Sequence, residues 1–513
     1  MASRRDELNA YTFAKKRTVA AFLQPSPSGT EEGAPRPLRA VLPGVVVGAL
    51  VMAGFGAWGM FSPTAPKGWD DPGKKVIVGK QSTTRYVVLT TGKGKDKKTL
   101  LHPVLNLASA RLLLDPDGYS VVQVDDKTLD LGKPPRGPIL GIPYAPDRLP
   151  AKEDAGKAKR WAVCEQPGGG NGGNVQKATF LFAERDLKRT QNSNKLESGE
   201  VLYVKGQKDS AQFLVDHTGT KYRVAENDSK LTNALFGSGQ PQQVTDDWLA
   251  TLKTGSPVDF PPIPGTVGAD AHVRGGLKPE QDRVGMVLIA QTGSGPQNYV
   301  VLEGKVQPVS AFTAWLLIQS PLTDKLDMAG KASPVDLQSL TPDGTAFGTG
   351  LRWPARQSTQ ANSIGGAGAR DTVCSVLESV DSKGRTTLST WAGPEYPADI
   401  TAGGTSTYVT PGTGLLYTQI QGNQSTPDGS LFLVTDTGLR YAVQANGDSD
   451  AGRSEIGTGN QQQTTDGRPE PSDAQKRLGY ETVVPVLVPM EWSEFLSKGP
   501  RLDTNSARQP QGS

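Results

Sequence analysis

Two short stretches of this chain repeat one pattern of polar and apolar positions. Residues 216–224 read DHTGTKYRV, and residues 435–443, 219 positions on, read TDTGLRYAV. After the Thr-Gly pair, each runs long-polar, aromatic, variable, β-branched: Lys221-Tyr222-Arg223-Val224 and Arg440-Tyr441-Ala442-Val443. That is the period of a half-buried strand. Gly219 and Gly438 supply the residue that tolerates positive φ in a tight turn, so both stretches predict the tip and return strand of a hairpin. Helical patterns are fewer. Apolar runs at 102–114 (HPVLNLASARLLL) and 307–318 (QPVSAFTAWLLI) each follow a strand-like segment. Residues 40–61 are apolar on every face and carry no charge. The predicted fold class is α+β and β-rich: a single transmembrane helix, then an internally duplicated extracytoplasmic domain with pseudo-twofold symmetry and one disulfide.

The duplication rests on features recurring in order. Arg85-Tyr86-Val87-Val88-Leu89 returns as Asn298-Tyr299-Val300-Val301-Leu302, each followed by Pro-Val and an apolar helical run. Val163-Cys164 returns as Val373-Cys374, and then the hairpin returns. Last, Trp248, Leu252, Gly255 and Asp259 return as Trp492, Leu496, Gly499 and Asp503. The growing offset implies insertions in the second half, and the polar stretch 446–475 is one. The expected halves are 81–259 and 291–503, joined by a connector at 260–290, with a disordered tail at 504–513. Cys164 and Cys374 hold equivalent positions. Paired across a twofold axis outside the cytosol they would be oxidised; the alternative is two buried free thiols. Trp248 and Trp492 recur as a pair, which argues for packing within each copy.

The N-terminal region divides differently. Residues 1–24 predict a cytosolic amphipathic helix, with Ser3 and Asp6 as a capping box and Pro25 as its stop. On an ideal helix Leu8, Tyr11, Val19 and Phe22 fall within roughly an 80° arc, interrupted by Lys15. Such a stripe suits docking to a partner or a membrane face. Residues 25–39 read as a flexible linker. The apolar run 40–61 has the length of a bilayer span, about 33 Å as a helix. Arg36 and Arg39 before it favour a cytoplasmic N-terminus. Small residues at Gly44 and Gly48, and at Ala49, Ala53 and Ala57, offer close-packing faces. Residues 62–80 form a second linker.

Composition changes this picture little. The chain has 513 residues and a net charge of +3, from 55 basic and 52 acidic side chains. No global field points to nucleic acid. Gly (60) and Pro (39) are abundant, in keeping with a turn-rich β protein. Two cysteines and three histidines (His102, His217, His272) are too scattered for a recognisable metal site.

The residues also carry a family likeness. RRDELNAYTFAKKR, Gly68-Trp69, TTRYVVL, LHPVLNLASARLLL, GPILGIPYAPDRLP leading to WAVC, and the paired hairpins resemble EccB. EccB is the single-span core component of actinobacterial type VII (ESX-type) secretion machines. The likeness runs essentially end to end. It implies a cytosolic N-terminal helix, one span in the cell membrane, and an elongated extracytoplasmic region with repeat modules around a disulfide-held β-rich core. It also implies an FtsK-like motor ATPase (EccC), a multi-span subunit (EccD) and a mycosin protease as partners, a homo-oligomer, and export of WXG100-type proteins.

Reactive constellations are few. Some EccB proteins are described as ATP-hydrolysing, but no GxxxxGK[ST] occurs: every Gly-Lys is followed by another residue type, as at 73–75 and 94–96. Asp216-His217 is the most tempting catalytic pair. Its second copy reads Thr435-Asp436, so a loop-tip surface pair is expected. Asp125-Asp126 and Asp246-Asp247 are adjacent rather than facing, as in solvated loops. The lysine cluster 92–98 suits anionic lipid or wall polymer, or simply a solvated hairpin tip. No catalytic, cofactor-binding or metal residue is assigned. The expected function is a scaffold subunit of a secretion membrane complex. The rivals are an extracytoplasmic ATP hydrolase and a cell-wall-binding membrane protein.

Overall fold

A computed structural model describes residues 4–23, 38–61, 65–91, 97–116, 119–168, 174–226, 228–366, 368–400, 406–422, 429–443 and 471–511. Two helices come first, α1 (Arg4–Leu23) and α2 (Leu38–Phe61). A first module follows: β1 (Lys75–Gly79), β2 (Arg85–Thr91), β3 (Lys98–Val104), α3 (Leu107–Leu113) and β4 (Ser120–Val124), with sheet order β3-β2-β1-β4. Short helices α4 (Asp126–Leu129) and α5 (Lys152–Ala155) lead to β5 (Arg160–Gln166) and β6 (Gln176–Phe182). The second module holds β7 (Glu200–Gly206), β8 (Gln212–Asp216), β9 (Thr220–Arg223), α6 (Ser229–Phe236), β10 (Gln242–Val244), α7 (Asp246–Ala250) and β11 (Lys253–Thr254), in the order β10-β7-β8-β9-β11.

The pattern then repeats. The third module is β12 (Val287–Thr292), β13 (Gly295–Leu302), β14 (Lys305–Val309), α8 (Ala311–Gln319) and β15 (Ser333–Pro334), in the order β14-β13-β12-β15. Strand β16 (Thr359–Gln360) joins β7 of the second module. Next come β17 (Thr372–Val380), β18 (Thr386–Gly393) and β19 (Thr407–Val409). The fourth module is β20 (Leu415–Ile420), β21 (Leu431–Val434), β22 (Leu439–Ala442), α9 (Asp473–Arg477), β23 (Val486–Pro489), α10 (Met490–Ser493) and β24 (Ser497–Lys498), in the order β23-β20-β21-β22-β24. Helix α11 (Thr504–Ala507) closes the described chain. Strand β1 thus starts ahead of the first expected half, and α11, with Thr504 and Ala507 buried, lies in the stretch expected to be a tail. Residues 446–470 of the expected insertion lie outside the described residues.

The chain divides into two units, Met1–Trp69 with Gln123–Leu131, and Asp70–Val122 with Gly132–Ser513. Within the first, α1 is exposed along its length, including Leu8, Tyr11, Val19 and Phe22. Ser3 of the expected capping box lies outside the described residues. The transmembrane part of the expected fold class is corrected. Among the described residues, no helix is long and apolar enough to cross a membrane.

In the second unit the modules do not pack within their own halves. Val76, Val87, Leu112 and Leu113 of the first module share a core with Leu416, Leu433, Tyr441 and Leu478 of the fourth. Phe312 and Leu316 of the third share one with Tyr203, Leu231 and Leu235 of the second. The duplication is therefore interleaved: each helix following a Pro-Val covers a hairpin sheet of the other half. At the first of these seams two arginines exchange roles. Arg111 on α3 donates to Leu478 O, 2.6 Å away, at the C-cap of α9. Arg477 on α9 donates back to Leu114 O, the C-cap of α3. Cations at helix C-termini satisfy orphan carbonyls and complement the dipole.

The opening hairpins form as the sequence predicts. Gly219 and Gly438 have φ of 71° and 78°. Leu214 faces Tyr222 across β8–β9, and Leu433 faces Tyr441 across β21–β22. The recurring glycines find their reason here. A Cβ on Gly255 would collide with the Tyr222 ring, and one on Gly499 with the Tyr441 ring. Each tyrosine ring occupies the space a side chain would take at a glycine of its own module. Gly255→Ala or Gly499→Ala should therefore destabilise the protein by about 1–3 kcal/mol, read as an earlier midpoint in urea unfolding. Gly304→Ala, at a turn with no atom near its Cβ position, should cost less, from its positive φ alone.

Candidate functional site

The place where the two halves meet is the central sheet, ordered β18-β17-β5-β6-β19. Its inner strands, β5 and β17, are antiparallel and come one from each half. Cys164 stands opposite Cys374, flanked by the pairs Val163–Ser375 and Glu165–Val373. A rotation that exchanges the cysteines carries one flanking pair onto the other, so the pseudo-twofold axis passes between them. Both cysteines are fully buried and disulfide-bonded, with Cα atoms 4.0 Å apart. The free-thiol alternative is not what the structure holds. Alternation along β5 and β17 divides the sheet's faces. Ala162, Cys164, Cys374 and Val376 meet Phe180, Phe182 and Trp391. Trp161, Val163, Val373 and Leu377 meet residues of the second and fourth modules, among them Trp248 and Trp492.

The two tryptophans thus pack against shared core. Trp248 donates its indole N–H to Val163 O on β5, 3.0 Å away. Next to the cystine, fully buried Glu165 accepts from Thr245 N (2.8 Å) and Thr245 Oγ1 (2.5 Å). Thr245 is the N-cap of α7, so this carboxyl ties the second module to the central sheet. Burial raises the Glu165 pKa, against the lowering effect of the Thr245 bonds. On the other copy Ser375 and Pro489 hold the corresponding places, and that tie is absent.

A second carboxyl joins three segments. Glu378 on β17 pairs with Arg160 on β5 at 2.6 Å and with Lys195 at 2.9 Å, and accepts from Ser389 on β18. Burial pushes this group upward, yet the bonds from Ser389 and Lys195 and the charge of Arg160 outweigh it and hold the carboxyl below its ordinary value.

Asp216 corrects the expectation of a surface pair. It is buried, and its Oδ1 accepts from Thr218 N, Thr218 Oγ1 and Thr220 N. Its Oδ2 accepts from Tyr222 OH at 2.9 Å. Burial and this carboxylate push the Tyr222 phenol well up. The carboxylate organises the turn and makes no bond to His217 among those described. In the second copy Thr435 takes this role, bonding Thr437, whose hydroxyl lies 3.4 Å from Tyr441 OH. Asp436 instead accepts from Gly412 N. Asp246 and Asp247 sit in the first turn of α7, and Asp125 caps α4, accepting from Lys127 N. These adjacent acids favour helix N-termini. Of the lysine cluster, Lys97 and Lys98 are described, both exposed. Among the described residues no group of acidic, His or Cys side chains is placed to hold a metal.

This interleaved, cystine-centred arrangement has known relatives. The family model described as "Type VII secretion system ESX-1, transport TM domain B" matches residues 1–512. The chain belongs to that family, the EccB proteins. It is therefore a component of a type VII secretion membrane complex. The ESX-3 secretion system ATPase EccB3 of Mycolicibacterium smegmatis is 28% identical over 426 residues, covering 79% of this chain and 76% of that protein. The ESX-1 secretion system ATPase EccB1 of Mycobacterium tuberculosis is 29% identical over 279 residues, covering 54% of this chain and 53% of that one. Among solved structures, a chain of an intact ESX-5 inner membrane complex aligns at a TM-score of 0.57 and 20% identity, covering 100% of this chain and 96% of its own. A chain of the EccB3 dimer from the ESX-3 core complex aligns at 0.54 and 23%, covering 85% and 99%. These likenesses are of fold.

Three outcomes follow from the geometry. Without reductant, the folded protein should not react with maleimide at Cys164 or Cys374. Replacing both by Ala should lower stability by about 2–5 kcal/mol, since the bond closes a long loop in the unfolded chain. For Glu378 the sign is set by its depressed pKa. Its contribution is full above the ordinary glutamate range and disappears as pH falls through the lowered value. The stability gap between wild type and Glu378→Gln, measured by urea unfolding, should be open at pH 7 and narrow progressively as pH falls below the ordinary glutamate range.

Proposed function

We propose that this EccB-family chain acts mechanically, as the scaffold of the extracytoplasmic assembly of its secretion complex. The observation that carries the reading is the interleaving of four modules about one buried cystine. No half can leave without opening the cores of the other, which suits a part that bears load. The buried carboxyls support the same reading. Asp216 organises a turn, Glu165 holds the N-cap threonine of a helix and Glu378 joins strands, so their acceptor capacity goes to holding the fold together. The disulfide supports an extracytoplasmic place for the second unit, because such bonds persist in oxidising compartments.

The partners proposed are the motor ATPase EccC, the multi-span EccD and the mycosin protease, with WXG100-type proteins as cargo and a second copy of the chain beside the first. The exposed stripe of α1, with Leu8, Tyr11, Val19 and Phe22, is the proposed docking element, since nothing among the described residues of its own unit buries it. The hydrolase reading stays as the rival because the relatives above carry ATPase in their names. Tagged full-length chain extracted in mild detergent should bring down the motor ATPase, and a variant lacking residues 1–24 should recover less of it. Equal recovery removes the docking role. Steady Mg-ATP turnover by the purified chain, abolished by one substitution, overturns the scaffold reading.

A further inference from the structure

The two interleaved seams are built from equivalent helices but close differently. Helices α3 and α8 align from their caps, Asn106 and Ser310, and bury matching positions. On that alignment Arg111 corresponds to Trp315. Helices α6 and α9 align from Asp228 and Ser472, which matches Asn233 to Arg477 and the buried Phe236 to the buried Tyr480. Both members of the reciprocal arginine clamp are thus replaced at the other seam, one by a flat indole and one by a short amide. Where the clamp closes the α3–α9 seam, the α6–α8 seam stays open. A cavity of about 370 Å³ lies there, lined by Lys230, Asn233, Ala234, Trp315, Gln319 and Asp324.

The lining has a definite chemistry. Trp315 is half-buried and packs beside Phe312, with ring centroids 6.2 Å apart, so its indole is held in place. Trp315 and Gln319 are four apart on α8, and Lys230, Asn233 and Ala234 share one face of α6. Ala234 is small and leaves the floor low. Lys230 and Asp324 pair at 3.5 Å across the rim, so the cavity carries no net charge. An apolar ring face bordered by two amides, a carboxylate and an ammonium offers both stacking and paired donors and acceptors. The volume is that of a small-ligand site, and its position between modules is where such sites form.

We infer that the α6–α8 crevice is a binding subsite for an uncharged saccharide, whose C–H face lies on Trp315 and whose hydroxyls meet Asn233, Gln319 and the Lys230–Asp324 pair. The lining carries no net charge to hold a phosphorylated or strongly charged ligand, and its four polar side chains are exposed, free to meet hydroxyls at the edge of a ring stacked on Trp315. The inference is independent of the scaffold reading.

The test uses full-length protein in detergent and isothermal titration with two uncharged probes, tetra-N-acetyl-chitotetraose and maltotetraose. At least one should bind in the millimolar range. Trp315→Ala should weaken binding by about tenfold, Trp315→Phe by less, and Asp324→Asn should also weaken it. Trp315→Arg with Asn233→Arg, which installs the clamp of the other seam, should abolish binding while the thermal midpoint is kept. Absence of binding by either probe overturns the proposal. So does binding that survives Trp315→Ala unchanged, because the sugar then sits elsewhere.

Discussion

The antiparallel contact between β5 and β17 is the constraint on which the rest of this protein depends. Cys164 and Cys374 are 210 residues apart in the chain and directly opposed in the sheet. Closing so long a loop costs much entropy in folding, and a covalent bond across it removes that freedom from the unfolded chain as well. Once the two strands are paired at this register, the twofold relation of the halves is set. The outer strands β6 and β18 then lie at equivalent distances from the axis. The second and fourth modules both fall on the face that carries Trp161 and Val163.

From that face the interleaving follows. Each hairpin sheet has one side against the central core and another that must be covered. The covering helix comes from the opposite half: α3 over the fourth module, α8 over the second. Duplication gives the two seams the same plan, and sequence drift gives them different chemistry. Arg111 and Arg477 bind carbonyls at one seam; Trp315 and Asn233 leave a cavity at the other. The same divergence appears beside the cystine. Glu165 holds Thr245, the N-cap of α7 in the second module, and Ser375 has no counterpart bond to the fourth. One half is therefore tied more tightly to the core than its twin at this point, within an otherwise symmetric frame.

Much of the site was legible because it is written in local signals. The turn glycines, the strand period and the paired cysteines each act over a few residues, or recur at matching places. The corrections came where local reading has no reach. Asp216 looked like a loop-tip residue, since its sequence neighbours are polar. It is buried because Tyr222, six residues on, folds its hydroxyl back onto the carboxylate. Gly255 and Gly499 were visible as repeats, but the reason for them is a tyrosine ring across the module. The apolar run at 40–61 set an expectation of a membrane span that the described residues do not meet.

The sequence by itself determined the β-rich class, the duplication, the equivalence of Cys164 and Cys374, the hairpin tips and the family. Each depends on periodicity, on residues with special backbone freedom, or on motifs repeated in order. The tertiary structure alone decided which half covers which. Helices α3 and α8 carry nearly the same apolar pattern, and either could cover either hairpin sheet as far as hydrophobicity goes. Burial is non-directional. The choice is made by the register at the cystine and by the length of chain leading from each helix to the central sheet, and neither is visible in a pattern of polar and apolar letters.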